Sequence, residues 1–210
     1  MKTLVLLGPA GSGKGTQAEK LIEKFHLQKV ETGELVREKG KEDSELGRFV
    51  HTINISGKHL PDDVVTQLIR EAFAKLDASR GLIIDGYPRT LVQAQTLGML
   101  LKEVHRLPLQ MVYVRVSDAV ARERLLKRAV CSGCKTILAS RDLTVCPKCG
   151  SKIEVRAYDT DVAAINKRLT WFHEKVMPAI EYYRKKGMVV EVSGESDPDT
   201  VFQTIIKAIE

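Results

Sequence analysis

The chain has 210 residues, a hydrophobic content of 43% and a formal net charge of +6. This size predicts one larger domain, or one core that carries inserted subdomains. No apolar run approaches the roughly 20 residues that span a bilayer, and the N-terminal segment lacks the pattern of a secretory signal. We therefore expect a cytoplasmic protein without a membrane partner.

Short apolar runs alternate with helical patterns along the chain. Most runs show no strict polar alternation, which is typical of strands that are buried on both faces. Strands are predicted at 3–7, 28–31, 81–85, 110–115 and 188–192. Helices are predicted at 14–25, 33–40, 44–55, 62–77, 90–104, 118–129, 160–186 and 198–209. This order predicts an α/β fold in which helices cover both faces of a parallel sheet.

Two stretches interrupt the alternation. Residues 33–77 carry several helical patterns without a strand, which indicates a helical insertion. Residues 130–158 hold all four cysteines and few large apolar residues, which indicates a flap pinned by a metal or by disulfides. The sequence therefore predicts a core with two inserted parts.

A glycine-rich loop, Gly8-Pro9-Ala10-Gly11-Ser12-Gly13-Lys14-Gly15-Thr16, follows the first predicted strand and leads into the first helix. Small residues let backbone N–H groups surround a polyphosphate, and the helix N-terminus adds a partial positive charge. Lys14 can reach the terminal phosphates, and the Thr16 hydroxyl is the expected magnesium contact. Gly15 stands where the general pattern has Ser or Thr. The loop predicts a nucleoside triphosphate site; a glycine-rich turn without a ligand is the alternative.

The four cysteines form two CxxC pairs: Cys131 with Cys134, and Cys146 with Cys149. Each pair forms a tight turn that offers two sulfurs to one ion, so the spacing is typical of a tetrahedral zinc site. Two local disulfides or four free thiols are the alternatives. Four thiolates leave no open coordination position, so the predicted zinc is structural.

The segment Asp85-Gly86-Tyr87-Pro88-Arg89-Thr90 follows the predicted strand at 81–85. An acidic residue at the end of a buried strand beside a phosphate loop is the usual place for a carboxylate that orders magnesium or its waters. The turn presents Arg89 at the same edge of the sheet. A turn with a surface arginine is the alternative interpretation.

Taken together, these motifs resemble the adenylate kinase family in its long-lid, zinc-binding form. The residues that carry the resemblance, which spans essentially the whole chain, are Gly8 to Gln17, Thr32 to Arg37, Asp85 to Thr90, Gln93 and the four cysteines. The resemblance implies a P-loop three-layer fold with a five-stranded parallel sheet, a helical insertion that binds the nucleoside monophosphate (NMP), and a zinc-pinned lid.

The resemblance also divides the chain into parts and implies a reaction. The core comprises 1–31, 62–129 and 160–210, the NMP-binding insertion comprises 32–61, and the zinc lid comprises 130–159. The implied reaction is reversible, magnesium-dependent transfer of the terminal phosphoryl group of ATP to AMP, which gives two ADP. The implied protein is a monomer with magnesium and structural zinc as its ions.

The same resemblance implies roles for individual residues, according to the positions that they occupy in these motifs. The catalytic residues are Lys14, Asp85, Arg89, Arg128 and Arg168. The ATP-binding residues are Gly11, Ser12, Gly13, Lys14, Gly15, Thr16, Arg124 and Ser196. The AMP-binding residues are Thr32, Gly33, Arg37, Lys58, Gly86, Arg89, Gln93 and Arg156. Within these sets, Arg37 and Arg89 hold the AMP phosphate, Gln93 contacts the adenine edge, and Gly57 and Lys58 line the AMP base.

The sequence departs from the family pattern at several positions. Glu34 replaces an aspartate, and His59 replaces an apolar residue beside the AMP base. Arg156 lies one residue out of register relative to Arg168. The interval between the CxxC pairs is shorter than usual, so lid closure is expected to differ.

Three other functions remain open on the sequence alone. A kinase for UMP, CMP or GMP would use the same motifs. A hydrolytic P-loop ATPase or GTPase would leave Arg37 and Arg89 without a use. A zinc-ribbon nucleic-acid binder would explain the knuckle and the basic charge, but the knuckle lacks interleaved aromatics that stack bases. We therefore expect no nucleic-acid partner.

Overall fold

The structure is a computed structural model that describes residues 2–56 and 58–210. Gly57, predicted to line the AMP base, lies outside the described residues. The elements of the core and the insertion are, in chain order, β1 (Thr3–Leu7), α1 (Lys14–Phe25), β2 (Gln28–Glu31), α2 (Thr32–Lys39), α3 (Glu45–Ile55), α4 (Asp62–Phe73), β3 (Leu82–Asp85), α5 (Leu91–Glu103), β4 (Leu109–Arg115) and α6 (Asp118–Lys127). They are followed by β5 (Ala129–Cys131), β6 (Ile137–Leu138), β7 (Ile153–Glu154), α7 (Val162–Trp171), α8 (Met177–Arg184), β8 (Val189–Ser193) and α9 (Pro198–Ile209).

Five parallel strands form the central sheet in the order β2-β3-β1-β4-β8. Side chains alternate across β1, so Val5 and Leu7 pack with α4, α5 and α8 on one face. Leu4 and Leu6 pack with α1 and α9 on the other face. Because the sheet is covered on both sides, the predicted three-layer parallel α/β fold is confirmed.

Two groups of elements lie outside the five-stranded sheet and the helices that cover it. The first contains α2 and α3, and α2 also packs against α4. The second carries a small antiparallel sheet in the order β6-β5-β7, in which Val130 pairs with Ile137 and Glu154. The boundaries 32–61 and 130–159 stay predictions.

The last long helix differs from the prediction of one continuous helix at 160–186. A short 3-10 turn at Ala157–Asp159 precedes α7, and a π-helical turn at Phe172–Val176 joins α7 to α8. Val162 is the first residue of α7 and is 46% exposed. A hydrophobic period of three to four residues does not distinguish an α-helical turn from a π-helical one.

Two other helices end at least two residues earlier than predicted. The helix predicted at 62–77 ends at Phe73. The helix predicted at 118–129 ends at Lys127, because Arg128 is extended and Ala129 begins β5 of the lid sheet. Within residues 2–56 and 58–210, no helix has both the length and the apolar character needed to cross a membrane.

Candidate active site

The phosphate loop lies between β1 and α1 at the carboxyl edge of the sheet. Gly11 and Gly13 have φ values of 85° and 86°, which favour glycine. A Cβ on Gly11 would also lie 2.6 Å from the carbonyl oxygen of Ala121. A Cβ on Gly13 would meet no described heavy atom within 4 Å. The loop therefore packs on α6 on one side and is open on the other, as a phosphate cradle requires.

One cavity of about 1700 Å³ runs from the phosphate loop to the insertion and the lid. Ligand pockets for one small molecule usually have volumes of roughly 300–1,000 Å³. Apart from Gly57, which lies outside the described residues, the predicted nucleotide-binding and catalytic residues all line this cavity. The structure therefore brings the predicted residues together, in a space large enough for two nucleotides, although their individual roles stay predictions.

Lys14 and Asp85 lie at the centre of this cavity. Burial lowers the pKa of Lys14, Asp85 opposes that shift, and the charges of Arg89, Arg128 and Arg168 lower the pKa further. Burial raises the pKa of Asp85, and Lys14 opposes that shift. The side chain of Asp85 is 7% exposed, and its Oδ1 has no hydrogen-bond partner among the described residues. Such an oxygen needs a partner, so the geometry fits a bound cation or its waters.

Arg128 and Arg168 share a carboxylate that the sequence analysis did not assign. Asp159, which has no exposed surface, accepts hydrogen bonds from Nε of Arg128 at 2.8 Å and from Nη1 of Arg168 at 2.8 Å. Tyr158 lies beneath the guanidinium of Arg168, 4.8 Å from the ring centroid. Arg156 also lines the cavity, with its guanidinium 6.0 Å from the same ring.

Arg89 extends from the turn after β3 and lines the same cavity. Its Nε donates to the carbonyl oxygen of Gly86 at 2.7 Å. Gly86 has a φ of 80°, and a Cβ there would lie 2.8 Å from Nη2 of Arg89. Burial lowers the pKa of Arg89, and Asp85 opposes that shift. A guanidinium held in this way is preorganised to bind an anion.

Gln93 occupies a buried position in the lining of the same cavity. Its Oε1 accepts from the backbone N–H of Arg89 at 2.7 Å, and its Nε2 donates to Oδ1 of Asp62 at 2.7 Å. Thr90 donates to the other oxygen of Asp62 at 2.8 Å. Gln93 therefore supports the turn that carries Arg89, while its contact with adenine stays a prediction. Asp62 was not predicted, because only the fold brings α4 and α5 together.

Glu31 is a second carboxylate that the sequence analysis did not assign. It ends β2, lies 2.5 Å from Nζ of Lys29 and accepts from Nη2 of Arg37 at 3.4 Å. Burial raises the pKa of Glu31, but the hydrogen bond and charge of Lys29 and the charge of Arg37 lower it overall. One of the two arginines predicted to hold the AMP phosphate is thus next to a carboxylate.

Arg124 and the segment that contains Ser196 meet on the loop side of the cavity. Nη1 of Arg124 donates to the carbonyl oxygen of Gly194 at 2.7 Å, and Nη2 donates to that of Glu195 at 3.2 Å. A Cβ on Gly194 would lie 2.6 Å from the side chain of Val114. Arg124 is therefore bonded to the two residues that directly precede Ser196, the other predicted ATP contact.

The four cysteines converge in the lid. Their Sγ atoms all lie within 4.8 Å of one another, and the separations are 3.4 Å between Cys131 and Cys149 and 3.7 Å between Cys134 and Cys146. A disulfide needs about 2.05 Å, whereas a tetrahedral zinc–thiolate site places its sulfurs about 3.8 Å apart. A hydrogen bond with Ser151 lowers the pKa of Cys149 to about 5, which favours the thiolate. These four residues could hold a metal ion.

The fold and the cavity define a P-loop phosphotransferase that can hold two ligands. A family model described as adenylate kinase matches residues 6–188. An adenylate kinase of Caldanaerobacter subterraneus subsp. tengcongensis is 34% identical over 98% of this chain and 95% of that protein. An adenylate kinase of Thermosipho melanesiensis is 35% identical over 98% of both chains. One of Methanosarcina barkeri is 34% identical over 96% of this chain and 95% of that protein.

The chain belongs to the adenylate kinase family. It is a nucleoside monophosphate kinase, and the predicted reaction, phosphoryl transfer from ATP to AMP, is confirmed at the level of the family and its relatives.

Proposed function

We propose that the cavity aligns ATP on the phosphate loop and AMP against the insertion, so that the phosphoryl group passes directly between them at Lys14. The observation that carries this proposal is that Arg89, Arg128 and Arg168 line one cavity together with Lys14. Burial contributes most to the lowered pKa of Lys14, and the charges of these three arginines also lower it. Phosphoryl transfer needs little proton chemistry but a high density of cations around a spread negative charge. This convergence supports transfer at that point.

We propose that the ATP phosphates bind the backbone of Gly11 to Thr16 and that its base lies against Arg124 and Ser196. The open side of the loop and the surface that Arg124 shares with residues 194–195 support this placement. The proposed AMP contacts, all of which line the same cavity, are Thr32, Gly33, Arg37, Lys58, Gly86, Arg89, Gln93 and Arg156.

Two ions complete the proposal. Magnesium, which adenylate kinases use with ATP, would be held through water by Asp85, with Thr16 and Glu34 beside it; the unpartnered Oδ1 of Asp85 supports this. When bound, it would neutralise charge on the transferring phosphates. The four lid cysteines would hold a structural zinc. A monomeric state and a cytoplasmic location stay predictions.

The proposal is tested by ADP formation from ATP and magnesium with AMP, CMP, UMP or GMP offered separately. We expect the highest rate with AMP and negligible phosphate release without an acceptor. Preference for another monophosphate would agree with the proposed mechanism but would show that AMP is not the preferred acceptor. Phosphate release that does not depend on an acceptor would overturn phosphoryl transfer altogether.

The acceptor site is tested by Arg89→Ala. Arg70→Ala is the control, because Arg70 is exposed and forms an exposed ion pair with Glu103. Loss of one donor to the transition state typically lowers the rate about 100- to 1,000-fold. We expect a loss of that size for Arg89→Ala and near-normal turnover for Arg70→Ala. Near-normal turnover of Arg89→Ala would contradict the proposed acceptor site.

A further inference from the structure

Two aromatic rings in the lining of the cavity join the segment before α4 to α7. The ring of His59 stacks on that of Trp171, with centroids 3.8 Å apart and planes inclined by 15°. His59 lies between α3 and α4, whereas Trp171 is the last residue of α7. Both side chains line the cavity.

The segment 58–61 has no regular secondary structure, so its position depends on contacts at its ends. Asp62, which follows it, is bound to Thr90 and Gln93 in the core. At the other end, the stack on Trp171 joins the segment to α7. The predicted acceptor contact Lys58 lies next to this stack.

Trp171 also lies one helical turn from Arg168, on the same face of α7. Arg168 binds Asp159 at the base of the lid, and Trp171 contacts the insertion. One turn of α7 therefore contacts both inserted parts, and a π-helical turn follows it directly. Such turns occur often at functional sites.

We propose that Trp171 is a positioning residue: by stacking on His59 it holds segment 58–61 over the proposed acceptor site and so sets the affinity for the acceptor nucleotide. The inference rests on the proposed function, because it assigns segment 58–61 to the acceptor. Stacked aromatic pairs are strong enough that losing one weakens acceptor binding by about 3- to 10-fold.

The charge state of His59 supports the stack. Burial, followed by the nearby charges of Arg89, Arg168 and Lys167, lowers the pKa of His59 to about 4. At neutral pH the ring is uncharged, so it stacks on Trp171 without placing another cation beside the two arginines.

The protein carries its own reporter of this contact, since Trp171 is its single tryptophan. His59→Ala removes the stack but keeps the fluorophore, and His59→Phe keeps an aromatic ring. His51→Ala is the matched control, because His51 is an exposed histidine on α3 of the same insertion. Tryptophan emission and its quenching by acrylamide report whether the ring of Trp171 is covered.

We expect His59→Ala to raise the KM for AMP about 3- to 10-fold, with the KM for ATP and kcat unchanged. This pattern is typical of a lost binding interaction that is equal in the ground state and the transition state. We also expect greater quenching of Trp171 in His59→Ala, and near-normal KM and quenching in His59→Phe and His51→Ala.

An unchanged KM for AMP in His59→Ala, an equal rise in both KM values, or unchanged quenching would overturn the inference. Preference of the unaltered protein for another monophosphate would overturn the proposed acceptor alone. The KM comparison is then made with that acceptor, and the same outcomes decide the inference.

Discussion

Arg128 and Arg168 donate hydrogen bonds to one carboxylate, that of the fully buried Asp159. Arg128 follows α6 and Arg168 lies in α7, so Asp159 fixes the distance between two guanidinium groups from separate helices. Both arginines line the cavity beside Lys14. Asp159 is therefore expected to act through these arginines, without contacting a nucleotide.

Asp159→Asn removes the negative charge of the carboxylate that both arginines contact. We expect kcat to fall about 10- to 100-fold, because small displacements of catalytic groups have effects of this size. We also expect the free energy of unfolding to fall by about 3 kcal/mol, since the two partly buried arginine charges lose the charge of their buried partner. Steady-state kinetics and urea unfolding measure the two effects.

Asp161→Asn is the matched control for Asp159→Asn. Asp161 caps α7 by accepting from the backbone N–H groups of Ala163 and Ala164. Asparagine caps a helix about as well as aspartate, so both quantities should stay near normal. A normal kcat in Asp159→Asn would show that Arg128 and Arg168 do not need this carboxylate for their function.

The lid site predicts about one zinc ion per chain in the purified protein. Because four thiolates close the coordination sphere, removing the metal should lower the melting temperature without removing a catalytic group. Metal analysis and thermal unfolding with and without a chelator test this. As a control, the chelator should have no effect on Cys131→Ser/Cys146→Ser. Intact disulfides without metal, or a melt that the chelator leaves unchanged, would contradict the prediction.

Glu31 places a negative charge where the acceptor phosphate is proposed to bind, next to Arg37. Glu31→Gln should free Arg37 and lower the KM for AMP by about 2- to 5-fold. This factor corresponds to the free energy of a partly exposed ion pair. The KM for ATP should not change, and Glu23→Gln, an exposed position on α1, is the control. A higher KM for AMP would show instead that Glu31 orients Arg37 for binding.

The parts of the site that the sequence predicts are those encoded by local pattern. The loop from Gly8 to Thr16, the turn from Asp85 to Thr90 and the CxxC pairs each place their residues through backbone geometry over a few positions. The parallel sheet is likewise predicted, because buried strands appear as short apolar runs. The bounds of the five strands in the central sheet accordingly differ from the prediction by at most one residue, whereas the short strands β5, β6 and β7 were not predicted.

The contacts that were missed join residues far apart in the chain. Asp159 binds Arg128 across 31 positions, and Gln93 binds Asp62 across the same separation. A carboxylate such as Asp159, in a polar segment, has no local feature that distinguishes a buried ion pair from a solvated charge. His59 was noted only as a departure beside the AMP base, and nothing in its neighbourhood indicates a stack on Trp171.

The same stack makes the stability of the protein depend on pH. The pKa of His59 is lowered from 6.5 to about 4 by burial, followed by the charges of Arg89, Arg168 and Lys167. Between these two pH values the unfolded chain binds a proton that the folded chain does not. The contribution of His59 to stability is therefore complete above pH 6.5 and falls as the pH is lowered toward 4.

His59→Phe keeps an aromatic ring but cannot bind a proton, so it should lack this part of the pH dependence. We expect the free energy of unfolding of the unaltered protein, relative to His59→Phe, to be lower at pH 5 than at pH 7.5. Urea unfolding of both proteins at the two pH values measures the difference. Because the same carboxylates titrate in both proteins, their contribution to the free energy of unfolding cancels. A difference that does not change with pH would mean that His59 binds its proton equally well in the folded and unfolded chains. In that case the ring would not be desolvated by its contact with Trp171.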